Sequence, residues 1–106
     1  MSIDRTIVAL GDSTRRELLR RLAQKPCRAG ELAHGFAISR PAVVKHTRML
    51  GRAGLIRAKK VGRERIYELA PGGHAQVEAL IKKLEEVGAF WDTALSAFKR
   101  YLEANR

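Results

Sequence analysis

Cysteine is nearly absent from this chain. Cys27 stands alone among 106 residues, so no disulfide can form within the chain. Acidic residues are scarce too: 11 Asp and Glu face 21 Lys and Arg, for a formal net charge of +10. No apolar run approaches the roughly 18 residues that cross a bilayer. The N-terminus has no basic start leading into a long apolar stretch, so no secretory signal is expected. These absences predict a cytoplasmic protein with no membrane partner. No nucleophile–base–acid set, phosphate-cradling glycine loop or pair of carboxylates is recognisable, so no enzyme activity is expected. Low-complexity tracts and internal repeats are missing as well, and the hydrophobic content of 45% suits one compact domain over residues 1–106.

The charge that is present is concentrated. Between Ser39 and Arg65 lie Arg40, Lys45, Arg48, Arg52, Arg57, Lys59, Lys60, Arg63 and Arg65, with Glu64 as the one acid. That window carries +8 of the net +10. A local basic excess in an otherwise balanced chain is the electrostatic footprint of a polyanion partner. An acidic membrane surface fits less well, because the segment has no long amphipathic helix with bulky apolar anchors.

Punctuation and periodicity predict the elements. Ile3, Ile7 and Leu10 recur at helical spacing, and Gly11 ends that first helix. Asp12, Ser13 and Thr14 are three possible N-caps for a second, and Thr14 with Glu17 matches a capping box. Leu18, Leu19 and Leu22 form its apolar face before Pro26 stops it. A short third helix is expected from Ala29 to Phe36, burying Leu32, Ala33 and Phe36. Ser39 is a good N-cap for a fourth helix, and Pro41 sits in its first turn, where a missing amide costs little. Two helices joined by a short turn form a helix-turn-helix. Leu55–Val61 and Arg65–Leu69, joined by Gly62-Arg63-Glu64, predict a basic β-hairpin or wing. The fold class is therefore mainly α with a small β-hairpin, a winged helix-turn-helix. Residues 28–70 form its DNA-binding core and wing.

The last helix, expected over 74–104, carries Val77, Ile81, Leu84, Gly88, Trp91, Leu95, Phe98 and Leu102 at alternating steps of four and three. Leu80, Val87, Ala94 and Tyr101 run beside them. This face is wider than one small domain covers, so a self-partner is expected. Ile3 and Ile7 from the first helix (residues 1–10) join Ile81, Leu84, Gly88, Trp91, Leu95, Phe98 and Leu102 as the candidate dimer interface.

On the fourth helix, Val43, Thr47 and Leu50 share the buried side. Pro41, Lys45, Arg48 and Arg52 face away, with Val44 on the flank. An outward face of cations and small apolar groups suits the major groove, where Arg and Lys meet guanine acceptors and apolar atoms touch thymine methyls. The candidate double-stranded DNA contacts are Ser39, Arg40, Pro41, Val44, Lys45, Arg48 and Arg52 on this helix. Lys59, Lys60, Arg63 and Arg65 on the wing are placed for phosphates.

Five motifs in order give a specific resemblance. They are Asp12-x-Thr14-Arg15-Arg16 with Leu19; Gly30-Glu31-Leu32-Ala33; Ile38-Ser39-Arg40-Pro41-Ala42-Val43; His46, Leu50 and Ala53-Gly54-Leu55-Ile56; and Gly62-Arg63-x-Arg65-x-Tyr67-x-Leu69. Over residues 5–72 the chain resembles the ArsR/SmtB family of winged-helix repressors. The resemblance implies a dimer built on the first and last helices, with the fourth helix in the major groove. The segment from Phe90-Trp91-Asp92 to Tyr101-Leu102-Glu103 is similar to a branch without metal sites. Arg28 and Gly30 stand where metal-sensing relatives place a Cys-x-Cys pair, and His74 is the only histidine on the last helix. No metal or other cofactor is therefore expected, and Cys27 reads as a structural or incidental thiol. His46 reads as a packing and hydrogen-bonding residue and His34 as exposed. Val44 replaces a common family serine, and Thr47 a common leucine. The Thr47 hydroxyl is expected to bond back to the Val43 carbonyl.

The function expected is that of a sequence-specific regulator, a homodimeric repressor on a palindromic operator. The alternative is an architectural protein that coats DNA through phosphates alone. No residue pattern names a small-molecule effector.

Overall fold

The computed structural model describes residues 3–35 and 37–105. Five helices and three strands follow in the order α1 (Ile3–Leu10), α2 (Ser13–Gln24), β1 (Cys27–Arg28), α3 (Ala29–Ala33), α4 (Arg40–Arg52), β2 (Ile56–Val61), β3 (Glu64–Leu69) and α5 (Gly73–Ala104). The winged helix-turn-helix is therefore present, with a wing of three strands in the order β1-β3-β2. The added strand is only two residues long, pairing Cys27 with Tyr67 and Arg28 with Ile66 in antiparallel register.

The core forms where α2, α3, α4 and the base of the wing meet. Leu18, Leu32, Val43 and Leu50 are fully buried, with Leu22, Leu55, Ile56 and Tyr67 around them. Burying each large apolar side chain is worth roughly 1.5–3 kcal/mol. Val43, Thr47 and Leu50 do share the inner face of α4. The Thr47 hydroxyl, however, donates to the Val44 carbonyl at 2.8 Å, not to that of Val43. A helical threonine reaches either the i−3 or the i−4 carbonyl according to χ1, and here it takes the nearer turn.

Of the three possible caps on α2, Asp12 acts: its carboxylate accepts from the Arg15 amide at 3.0 Å. A charged acceptor at the positive end of a helix outcompetes the Thr14 hydroxyl, and Glu17 turns instead to Arg20 and Arg21. The expected Thr14–Glu17 box is thus replaced. The α3 helix stops at Ala33, short of the expected end, because Gly35 follows with φ +83°, a left-handed conformation that terminates a helix. The expected burial of Phe36 lies outside the described residues. The α4 helix ends in a Schellman motif, with the Leu55 amide donating to the Leu50 carbonyl and the Gly54 amide to that of Gly51.

The Asp12 carboxyl is held below its ordinary value of 3.8, first by the hydrogen bond from the Arg15 amide. A depressed carboxylate stabilises the fold above its ordinary value, and that contribution is lost as pH falls through the depressed one. Asp12→Ala should lower the melting temperature by a few degrees at neutral pH. Asp12→Asn, a cap without charge, should flatten the decline in stability below about pH 4. Thermal unfolding by circular dichroism across pH checks both. An unchanged acid limb in the Asn variant would remove the charge from the account.

The α5 helix behaves differently from the rest. It is 32 residues long, about 48 Å at 1.5 Å per residue. Its first turns touch the body, with Gly73 and Leu80 buried, but every described residue from Ile81 onward is exposed. The radius of gyration is 19.4 Å, against about 13 Å for a compact chain of this length. Among the described residues no helix is long and apolar enough to cross a membrane.

Candidate nucleic-acid interface

The outer face of α4 is assembled by its own start and by the packing behind it. The Ser39 hydroxyl accepts from the Ala42 amide at 3.3 Å, and Pro41 lies in the first turn. With Val43, Thr47 and Leu50 turned inward, Arg40, Pro41, Val44, Lys45, Arg48 and Arg52 are left exposed. Arg40 leans toward α3: its guanidinium lies so near Gly30 that a Cβ there would sit 3.3 Å from it. Arg40 therefore occupies the junction of the two helices, in the first turn of α4.

Strand alternation sorts the wing cations by face. Val61 pairs with Glu64 across a two-residue turn, Gly62-Arg63, so Glu64 belongs to the strand rather than to the loop expected for it. Gly62 has φ +62° and Arg63 does not have positive φ, the pattern of a type II′ hairpin turn. Ala58, Arg65 and Tyr67 line a crevice of 330 Å³ together with Val44, Thr47, Arg48 and Arg52 of α4. Lys60, directly opposite Arg65, shares that face, whereas Arg57 and Lys59 point to the other. There Glu68 accepts from Arg57 at 2.6 Å and lies 3.0 Å from the Lys59 ammonium. Hydrogen bonds from Lys59 and then Arg57 hold the Glu68 carboxyl below its ordinary range. Lys59 is thus set apart from the other expected DNA contacts. Arg40, Lys45, Arg48, Arg52, Lys60, Arg63 and Arg65 have no carboxylate within ion-pair distance among the described residues. Arg28, on β1, pairs with Glu64.

Residues 12–58 match the profile described as bacterial regulatory protein, arsR family. The chain is 36% identical over 103 residues to the HTH-type transcriptional regulator Rv2034 of Mycobacterium tuberculosis, spanning 97% of this chain and 91% of that one. This chain belongs to the ArsR family. Like its relatives it is a DNA-binding transcriptional regulator, a family without enzymatic activity. An ArsR-like transcriptional regulator from Rhodococcus sp. RHA1 has the same fold, with a TM-score of 0.70 and 36% identity over 92% of this chain and 90% of that one. The homodimeric winged helix-turn-helix DNA-binding domain of Mb0332 from Mycobacterium bovis is similar in fold at 23% identity, with a TM-score of 0.65 over 79% of this chain and 78% of that one.

The family-like scaffold also contains a buried charge that the sequence reading did not single out. Arg15 is 9% exposed. Its guanidinium donates to the carbonyls of Ala9 at 2.8 Å and Val8 at 2.7 Å, the negative end of α1. It also lies 3.2 Å from His46 Nδ1 on α4. Arginine can only donate, so Nδ1 is the acceptor in this contact. One side chain thereby joins α1, α2 and α4. Its signal in the sequence was the Thr14-Arg15-Arg16 motif, which marks the residue but not its burial.

Cys27 is buried, and its thiol lies 3.3 Å from the Lys25 carbonyl. Among the described residues no three His, Cys, Asp or Glu side chains are grouped so as to hold a metal ion.

Proposed function

We propose that this ArsR-family regulator is a sequence-specific repressor that binds a palindromic operator as a homodimer. The observation that carries specific readout is the outer face of α4, where Val44, Lys45 and Arg48 lie exposed, the two cations having no ion-pair partner among the described residues, and where Val44 and Arg48 line a crevice with Arg65 of the wing. Such a face offers donors to guanine and an apolar contact to a thymine methyl. Lys60, Arg63 and Arg65, with Arg52 at the end of α4, are assigned to phosphates, and Arg40 and Lys45 to base edges. Lys59 contributes less, because it must leave Glu68 to meet a phosphate.

The dimer rests on Ile3 and Ile7 of α1 and on the α5 seam from Ile81 through Leu84, Gly88, Trp91, Leu95 and Phe98 to Leu102. Ile7 is 46% exposed and Trp91 is 68% exposed in the single chain. The Mycobacterium bovis domain of the same fold is homodimeric, which supports this reading. Two-fold symmetry in the protein implies two-fold symmetry in its operator.

Binding measured by fluorescence anisotropy on operator and random DNA, across a salt series, tests the assignments. Arg40→Ala should cost about 1–3 kcal/mol on the operator and relax preference at particular base pairs. Arg63→Ala should weaken both DNAs alike and flatten the salt slope by about two for the dimer. With roughly four phosphate contacts per subunit the parent slope should be about −7. Equal losses on both DNAs for Arg40→Ala would move the architectural reading ahead.

A further inference from the structure

An apolar crevice of 450 Å³ opens where α2, the end of the wing and the start of α5 meet. Leu19 and Ala23 of α2 line it opposite Gly73 and Val77 of α5, with Leu55, Leu69, Ala70 and Pro71 completing the apolar lining. Leu69 is 41% exposed there. We propose that this crevice receives the C-terminal end of α5 from a second copy of the chain, so that each subunit clasps the other at two equivalent places. The inference deepens the homodimer reading and rests on it.

Three observations select this occupant. The first is continuity. At 100° per residue, Gly73, His74 and Val77 share one arc of about 100° with Ile81, Leu84, Gly88 and Leu95. The uncovered seam of α5 therefore runs directly into the crevice, and whatever covers one meets the other. The second is register. Gly88 lies at the midpoint of α5 and on the seam, and a Cβ there would meet nothing within 4 Å. A glycine lets two helices cross closely. Antiparallel helices crossing at Gly88 lay Phe98 of the partner subunit beside Glu78, and Leu102 of the partner subunit beside His74. The third is size and character. An apolar cavity of about 150 Å³ holds a benzene-sized ring, so this crevice has room for the Phe98 ring and the Leu102 side chain together. Those two residues are 59% and 51% exposed in the single chain.

The crevice includes Leu69, Ala70 and Pro71, which follow directly from the wing. A helix end seated there braces the wing's last strand against α2 and α5. Closing the dimer thereby fixes the wing relative to α4.

Cross-linking at defined positions tests the clasp. In a Cys27→Ser background, Ala23→Cys and Leu102→Cys are made singly and together, and treated with a bismaleimide of about 10 Å reach. Within one chain the span from His74 to Leu102 is about 42 Å of helix, so the two cysteines cannot be joined intramolecularly. The double variant should give a covalent dimer in high yield and neither single variant should. A covalent dimer from Leu102→Cys alone would mean parallel helices and overturn the proposal. So would the absence of cross-linking in a protein that sediments as a dimer, whereas a monomeric protein would overturn the dimer reading itself. As a second measure, Ala23→Glu should weaken dimerisation roughly 10-fold without altering the helical content of the subunit. An unchanged dimer constant in that variant counts against the clasp.

Discussion

Leu95→Lys should convert the protein from dimers to monomers at micromolar concentration and remove most of its operator affinity. Leu95 is 63% exposed in the single chain and lies between Trp91 and Phe98 on the seam of α5. Burying a leucine is worth roughly 1.5–3 kcal/mol, and two-fold symmetry counts each substitution twice. The loss is then about 3–6 kcal/mol before any cost of placing an ammonium in the seam, a weakening of roughly 10²–10⁴-fold in the dimer constant. Operator binding falls with it, because a lone subunit contacts one half-site and half the phosphates. Analytical ultracentrifugation checks the assembly and anisotropy the binding. The subunit itself should be unharmed: residues beyond Ile81 are exposed, so circular dichroism of the variant should retain the helical signal of the parent. A parent protein that sediments as a monomer at high concentration would falsify the dimer reading outright.

The features legible in the sequence were those carried by many residues acting alike. The seam of α5 repeats over most of its length, and the inward face of α4 follows from Val43, Thr47 and Leu50 at helical spacing. The basic window survives any error in element boundaries. What escaped were features made by one or two residues and a distant partner. Strand β1 has two residues, too few for any alternation to register, and exists because Tyr67 and Ile66 offer a free edge beside it. Which wing cations stand beside α4 depends on strand parity, and Glu64, whose pairing with Val61 sets the register, was expected in the loop. Glu68, through its hold on Arg57 and Lys59, then divides a run of cations that composition had treated as one group. Arg15 was visible only through the Thr14-Arg15-Arg16 motif, and nothing in helical periodicity distinguishes a buried cation from its exposed neighbours.

Arg15→Met should destabilise the folded protein by about 2–4 kcal/mol. Replacing a buried charge by an apolar side chain of similar length is often neutral, because the desolvation penalty disappears with the charge. Here the cost arises elsewhere. The guanidinium serves the Val8 and Ala9 carbonyls at the end of α1, and the Ala9 side of that contact is buried. Removing it strands acceptors, each worth about 1–3 kcal/mol when left without a donor. The Gly11 amide still reaches Val8 at 3.3 Å, so one carbonyl keeps a partner and the estimate stays below the sum. Arg15→Lys should fall between parent and Met variant, since an ammonium cannot span both carbonyls and His46 as a planar fork does. Urea unfolding at one fixed protein concentration is the measurement, because a dimer's stability depends on concentration. The same variant should also weaken dimerisation, since Arg15 ties α1, with Ile3 and Ile7, to the α2–α4 body. A Met variant as stable as the parent would mean that water replaces the guanidinium at the end of α1. In that case α1 is held by its packing against α2, α4 and α5 alone.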